Sequence, residues 1–133
     1  MRLTADTNVL VRAIVGDDPH QSQAAKNALL HADLVALTLP TLCELVWVLS
    51  RGYRIPSGVI AGTLRRLIEA QNVSVNRPAV EAGLALLEAG GDFADGVIAY
   101  EGEQLGGETF VSFDRKAVGL VRQRHGRKAL LLE

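Results

Sequence analysis

The chain has 133 residues, and little of several things that would place it quickly: one cysteine, one tryptophan, four prolines, and aromatic residues at only 5%. With Cys43 alone, an internal disulfide framework is excluded, and stability has to come from packing. So few aromatics give no sign of an extended platform for stacking single-stranded nucleic acid. An excess of one charge is missing too: 14 Lys and Arg stand against 15 Asp and Glu, a net charge of -1. Any nucleic-acid contact must therefore rest on a local patch. No apolar run approaches the roughly 20 residues that cross a bilayer. The longest, "LCELVWVL", is short and carries Glu44. The N-terminus lacks the charged, apolar and small-residue zones of a signal peptide. A cytoplasmic protein without a membrane span is expected.

What is present is apolar substance. Hydrophobic residues make up 48% of the chain, enough to bury a proper core within one domain over residues 1–133. Short apolar runs at Arg2 to Ala5, Leu34 to Thr38, Val73 to Val75, Thr109 to Ser112 and Ala129 to Leu132 have strand length. Between them lie stretches with helical spacing. In "DPHQSQAAKNALLHA" Asp18 caps, Pro19 suits the first turn, and Ala24, Ala28, Leu29 and Ala32 are expected on one face. "PTLCELVWVLSRGY" puts Leu42, Leu45, Val46 and Leu49 on a broad apolar side and ends near Gly52. A further helix begins near Pro56 and Ser57. "RPAVEAGLALLEAGG" and "DFADGVIAYEGEQLGG" each stop at paired glycines, Gly90 and Gly91, then Gly106 and Gly107. Strands alternating with helices predict an α/β fold in three layers, with a mainly parallel sheet of about five strands.

In open parallel sheets, ligand sites form at the carboxyl ends of strands. Asp6 ends the first strand, Glu44 lies in the helix after the second, Asp92 and Asp95 open a late helix, and Asp114 follows the fourth strand. All five are expected on the side where a site would form. Gathered carboxylates repel, and a hard divalent cation bound by oxygens keeps them charged. On that reading Asp6 is a metal ligand, oriented by the Asn8 amide or the Thr7 hydroxyl. Taken alone, Asp6 or Asp114 is more often a helix cap than a ligand, and Asp92 and Asp95 suit a helix N-terminus. Glu44, set among apolar neighbours, fits that plainer account less well.

"ADTNVLVR", "TLCELVWVL", "DFADGVIA" and "VSFDRKA", in this order and at these distances, resemble the PIN-domain ribonucleases, and most closely the VapC toxins of prokaryotic toxin–antitoxin pairs. The resemblance runs from Arg2 to about Leu132. It implies a PIN-like α/β/α fold in which Asp6, Glu44, Asp95 and Asp114 are the four acids that hold Mg²⁺ or Mn²⁺ and catalyse RNA cleavage, with Asp92 accessory. It also implies a cognate antitoxin and a homodimer. Two positions depart from the family's pattern. The third motif usually reads Asp-Ala where this chain has Asp95-Gly96, expected to loosen the helix start, and the fourth carries threonine where this chain has Ser112, which keeps the hydroxyl.

An acidic site repels RNA, so a flanking positive surface is needed. The stretch "RKAVGLVRQRHGRK" carries Arg115, Lys116, Arg122, Arg124, Arg127 and Lys128 and no acid. Arg115, Lys116, Arg122 and Arg124 are the candidate RNA contacts, weighed equally against an ordinary solvated helix. Arg12, Arg51 and Arg54 are further candidates, each more often surface than contact. His20, His31 and His125 sit in unrelated contexts. Trp47 is expected in the core, Cys43 as a small buried apolar residue, and Tyr53 in the core, at a dimer contact or in a groove. Rival readings fit less well. A haloacid-dehalogenase phosphatase needs an acid where Asn8 stands, and in a response-regulator receiver Lys116 would follow Asp114 too closely. A PIN nuclease that processes RNA without being a toxin, or a PIN fold that only binds, remains the serious alternative.

Overall fold

The computed structural model describes residues Met1–Glu133. Tertiary contacts fall into two units, Met1–Asn76 and Arg77–Glu133.

The first unit runs β1 (Arg2–Thr4), α1 (Thr7–Val15), α2 (Pro19–His31), β2 (Leu34–Ala36), α3 (Leu39–Trp47), a π-helical turn (Val48–Gly52), α4 (Ser57–Glu69) and β3 (Val73–Ser74). Its three strands pair in parallel in the order β1-β2-β3, with Leu3 opposite Val35 and Val35 opposite Val73. Parallel neighbours need long crossovers, and helices supply them. Leu10, Val35, Leu42, Leu45, Leu49, Ile60 and Leu64 are fully buried. Burying each such side chain contributes roughly 1.5–3 kcal/mol. Asn72 ties the unit together from below: its side-chain amide donates to the carbonyls of Leu29 and Ala32, at 2.9 and 3.0 Å, at the open end of α2. These are carbonyls that helix geometry leaves without partners.

Helix α2 starts as expected, with Asp18 accepting from the Gln21 amide at 3.1 Å and Pro19 in the first turn. Its buried line differs from the expected one. Ser22, Ala25 and Ala32 are buried, whereas Ala24 and Ala28 are exposed and line a cleft of about 540 Å³ beside α1. The rotation brings Ser22 and Ala25 inward and leaves the two small alanines facing open space. Trp47, expected in the core, is 63% exposed, because the apolar side of α3 that faces inward is already filled by Leu42, Leu45, Val46 and Leu49. Cys43 is half-buried rather than buried.

The second unit runs α5 (Arg77–Glu88), α6 (Phe93–Gln104), β4 (Thr109–Ser112), α7 (Arg115–His125) and β5 (Lys128–Leu131). Its two strands also pair in parallel, Thr109 opposite Lys128 through Ser112 opposite Leu131. Leu86, Ala99, Val118, Val121 and Ala129 form its core, with Phe110, Leu120 and Leu131 packed around them. Both glycine pairs end their helices by the same device. Gly90 has φ +90°, its amide reaches the Leu87 carbonyl, and the Gly91 amide reaches the Leu86 carbonyl at 2.7 Å. Gly106 (φ +100°) and Gly107 repeat this on Glu103 and Gly102. An L side chain at either left-handed position would be strained.

Gly96 corrects an expectation. Far from loosening the start of α6, it is buried where α6 crosses α5, and an added Cβ would lie 2.3 Å from the Ala82 carbonyl oxygen. Gly83 faces the Phe93 ring, which would stand 2.7 Å from an added Cβ. The α/β class with parallel strands joined by helices holds, the five strands appearing as one ladder of three and one of two. No helix is long and apolar enough to cross a membrane.

Candidate active site

In the first unit, the end of β1 delivers Asp6 to the start of α1. Asp6 is the N-cap: its Oδ1 accepts from the Thr7 backbone amide at 2.8 Å. Orientation thus comes from the Thr7 main chain, while the Thr7 side chain is buried. Asp6 and Glu44 line one cleft of about 290 Å³ together with Asn8, Val11, Arg12 and Tyr53. Glu44 projects from the exposed face of α3, whose buried face is the apolar one.

Beyond Glu44 the helix widens. The Tyr53 amide reaches back five residues to the Val48 carbonyl at 3.2 Å, and Arg54 follows with φ +55°. Such π turns inside helices are frequent at functional sites. This one carries Tyr53 to the cleft, where its hydroxyl donates to Asp17 Oδ2 at 2.9 Å. The same Asp17 accepts from Arg12 Nη1 through Oδ1 at 3.0 Å. The Tyr53 hydroxyl and the Arg12 guanidinium hold the Asp17 carboxyl below its ordinary pKa, and the Asp17 carboxylate raises that of Tyr53. The sequence reading did not single out Asp17. Its link to Tyr53 spans 36 residues, and no local pattern announces it.

In the second unit, three acids stand at two helix starts. Asp92 caps α6, its Oδ1 accepting from Ala94 at 3.1 Å. Asp114 caps α7, its Oδ1 accepting from Ala117 at 3.1 Å. Ser112 fixes the approach to α7 by accepting the Asp114 amide on its hydroxyl at 2.9 Å. Asp95, in the first turn of α6, is half-buried, and its pKa is raised, first by that burial and then by the negative charges of Asp92 and Asp114. The capping reading and the ligand reading are therefore compatible, since each capping carboxylate spends one oxygen on a helix and keeps a second.

The basic stretch divides by role. Arg122 donates through Nε and Nη2 to the Ala129 carbonyl, at 3.0 and 2.6 Å, clamping α7 to β5. Arg127 pairs with Glu103 and lies 5.4 Å over the Tyr100 ring. Arg115, Lys116 and Arg124 are exposed. Two histidines bond backbone carbonyls, His31 that of Asn27 at 2.8 Å and His125 that of Ala82 at 3.0 Å.

The sequence model of the PIN domain family matches residues 4–121. The chain belongs to the PIN-domain family. PIN domains are in general metal-dependent nucleases acting on RNA, and the helix-rich architecture with parallel strands is consistent with their three-layer α/β/α fold. No curated protein matches the chain. The residues of this PIN domain suit a hard divalent ion in kind, because the acids of both units offer carboxylate oxygens alone. Asp95 suits one in charge, being a carboxylate that its neighbours and its burial penalise. No three His, Cys, Asp or Glu side chains converge into a finished cage.

Proposed function

We propose that this PIN domain is a metal-dependent endoribonuclease, with Asp6, Glu44, Asp95 and Asp114 as its metal-holding, catalytic acids, and that it is the toxin of a VapBC-type toxin–antitoxin pair. The observation that carries the nuclease reading is Asp95, a half-buried acid with two like charges in its field, inside a segment matched by a nuclease family. The N-terminus of α6 offsets part of that penalty for Asp95, and a bound cation would offset it further.

Mg²⁺ or Mn²⁺ held by these oxygens supplies the positive charge that offsets the phosphodiester and lowers the pKa of an attacking water. The chain's own groups do the rest. Thr7 and Asn8 flank Asp6, with the Thr7 amide fixing one of its oxygens. Asp92 keeps the field around Asp95 negative, and Ser112 sets the backbone that presents Asp114. Arg115, Lys116 and Arg124 are exposed cations for the RNA backbone, while Arg122, exposed as well, is engaged by the Ala129 carbonyl and anchors α7 to β5. The family match crosses the boundary between the two units, which supports reading residues 1–133 as a single domain.

The toxin assignment rests on the resemblance, and the apolar surface is in keeping with it. Trp47, Leu30 and Val59 are individually exposed by 63, 75 and 55%, side chains that an antitoxin or a second copy of the chain would be expected to cover. A basic antitoxin side chain would satisfy the acids in place of metal.

The test is cleavage of labelled structured RNAs by purified protein freed of any bound partner, in Mg²⁺ or Mn²⁺ and in chelator, beside Asp6→Asn. Cleavage that needs the metal and vanishes in the variant supports the reading. Folded protein that cuts no RNA class in any metal removes it.

A further inference from the structure

Asp17 joins two side chains that differ in chemistry and face the same acidic cleft. Its two oxygens accept from Arg12 at 3.0 Å and from Tyr53 at 2.9 Å, and Gln21 Oε1 holds Arg12 Nε at 2.7 Å. Arg12 and Tyr53 both line the cleft that contains Asp6 and Glu44. All these contacts are exposed, and exposed pairs contribute little to stability. Ordering an arginine costs side-chain entropy of the same size. Folding alone therefore gives a weak reason to fix these groups where they are.

Their chemistry suits two parts of a nucleotide, a cation for the phosphate and an aromatic ring for the base. Arg12 is the one basic residue lining the cleft, and a guanidinium has five N–H donors, more than the two bonds to Gln21 and Asp17 use, so it can also donate to a phosphate oxygen. A phosphodiester approaching Asp6 and Glu44 meets repulsion, and Arg12 at the rim offsets it. Tyr53 is 37% exposed and lines the cleft, and every base has a π-face that can stack on an aromatic ring. The π turn and the left-handed Arg54 fix where that ring stands.

We infer that Arg12 and Tyr53, tethered by Asp17, hold one unpaired nucleotide of the RNA beside Asp6 and Glu44, the guanidinium on its phosphate and the phenol ring against its base. The inference rests on the nuclease reading and names the residues that hold its substrate beside the acids. A base stacked inside a duplex offers no free face, so single strands, loops and bulges are the targets and uninterrupted duplex is not. Arg12 and Tyr53 touch the RNA, and Asp17 is a positioning residue.

The experiment uses the full chain carrying Asp6→Asn, which leaves the RNA uncut, with a short single-stranded oligoribonucleotide containing 2-aminopurine and with a blunt duplex of the same sequence. Binding is read by anisotropy at several salt concentrations and stacking by quenching of the 2-aminopurine. The single strand is expected to bind more tightly than the duplex and to be quenched. Tyr53→Leu should weaken binding about tenfold and remove the quench, and Tyr53→Trp should restore both. Arg12→Gln should weaken binding and lower the salt slope by about 0.7, one phosphate contact on a single strand, while Arg12→Lys should keep the slope. Thermal melts confirm that each variant is folded, and the conservative pair covers a failure of the others. Equal or better binding of duplex overturns the inference, as does unchanged binding by both Tyr53→Leu and Arg12→Gln. If the unmodified protein cuts RNA while those variants bind normally, this inference alone falls. If the unmodified protein neither binds nor cuts RNA, the nuclease reading falls and takes this one with it.

Discussion

The backbone of Gly96 lies against the carbonyl of Ala82, so closely that a Cβ would stand 2.3 Å from that oxygen. The helix that presents Asp95 is thereby set at backbone contact with its neighbour. Gly96→Ala, the substitution that would restore the Asp-Ala pattern usual at this motif, is expected to destabilise by about 1–3 kcal/mol, although alanine favours a helix by up to about 1 kcal/mol. Gly102, in the same helix, meets nothing within 4 Å. Gly102→Ala should therefore stabilise by about 0.5–1 kcal/mol. Thermal melts of the two variants should move in opposite directions.

Burial and the charges of Asp92 and Asp114 raise the pKa of Asp95, and the sign of the consequence is fixed. Between the ordinary aspartate value of about 3.9 and the raised one, the folded protein holds a proton that the unfolded chain has released. Stability falls as pH rises through that window and stays lower at neutral pH. Asp95→Asn should then melt above the unmodified protein at pH 7 in chelator, by on the order of 2–4 °C. The gap should close below about pH 4. Mg²⁺ should narrow it by raising the unmodified protein alone.

The tether between Tyr53 and Asp17 can be read in alkaline titration. Tyr53 is raised by the neighbouring carboxylate, so tyrosinate absorbance should show a group ionising above the usual value of about 10, with Asp17→Asn bringing it back. Because the folded value is the raised one, the tether's contribution is complete below about pH 10 and is lost as pH climbs through the folded value. Asp17 is depressed, so acid releases the tether only as pH falls through its lowered value. A Tyr53 titration that ignores Asp17→Asn would contradict the contact.

Arg122 and Arg124 separate structural from substrate-facing cations. Arg122 bonds the Ala129 carbonyl twice, and Arg122→Ala should destabilise by about 1 kcal/mol. Arg124→Ala should stay within about 0.5 kcal/mol and weaken RNA binding instead. Denaturant melts and salt-dependent binding, run on both variants, should give opposite rankings.

Much of this was written locally. The paired glycines stop α5 and α6 through bonds three to five residues long, and the caps Asp18, Asp92 and Asp114 each bond an amide two or three residues on. The strands agree to within two residues because their apolar runs are short and bounded. What escaped depends on packing. Helix α1, "TNVLVRAIV", is rich in β-branched residues that favour strands, and tertiary context makes it a helix over Thr7–Val15. The inward face of α2, the exposure of Trp47 and the tightness at Gly96 depend on neighbours distant in sequence. The acids were singled out because the carboxyl ends of strands are where sites form in open parallel sheets. Arg12 was legible as a charge, and its partnership with Asp17 and Tyr53 was not.

The central proposal is that Asp6 and Glu44 in the first unit and Asp95 and Asp114 in the second are acids with which the protein holds divalent cations. Its most direct test is Mn²⁺ binding to the full chain, followed by calorimetry, with single variants from each unit: Asp6→Asn and Glu44→Gln from the first, Asp95→Asn and Asp114→Asn from the second. The account predicts that the folded protein binds Mn²⁺ and that each of the four variants weakens binding about tenfold or more, the loss expected when a ligand or its support is removed. Mn²⁺ binding that all four variants leave unchanged, or no Mn²⁺ binding by the folded protein, would contradict it.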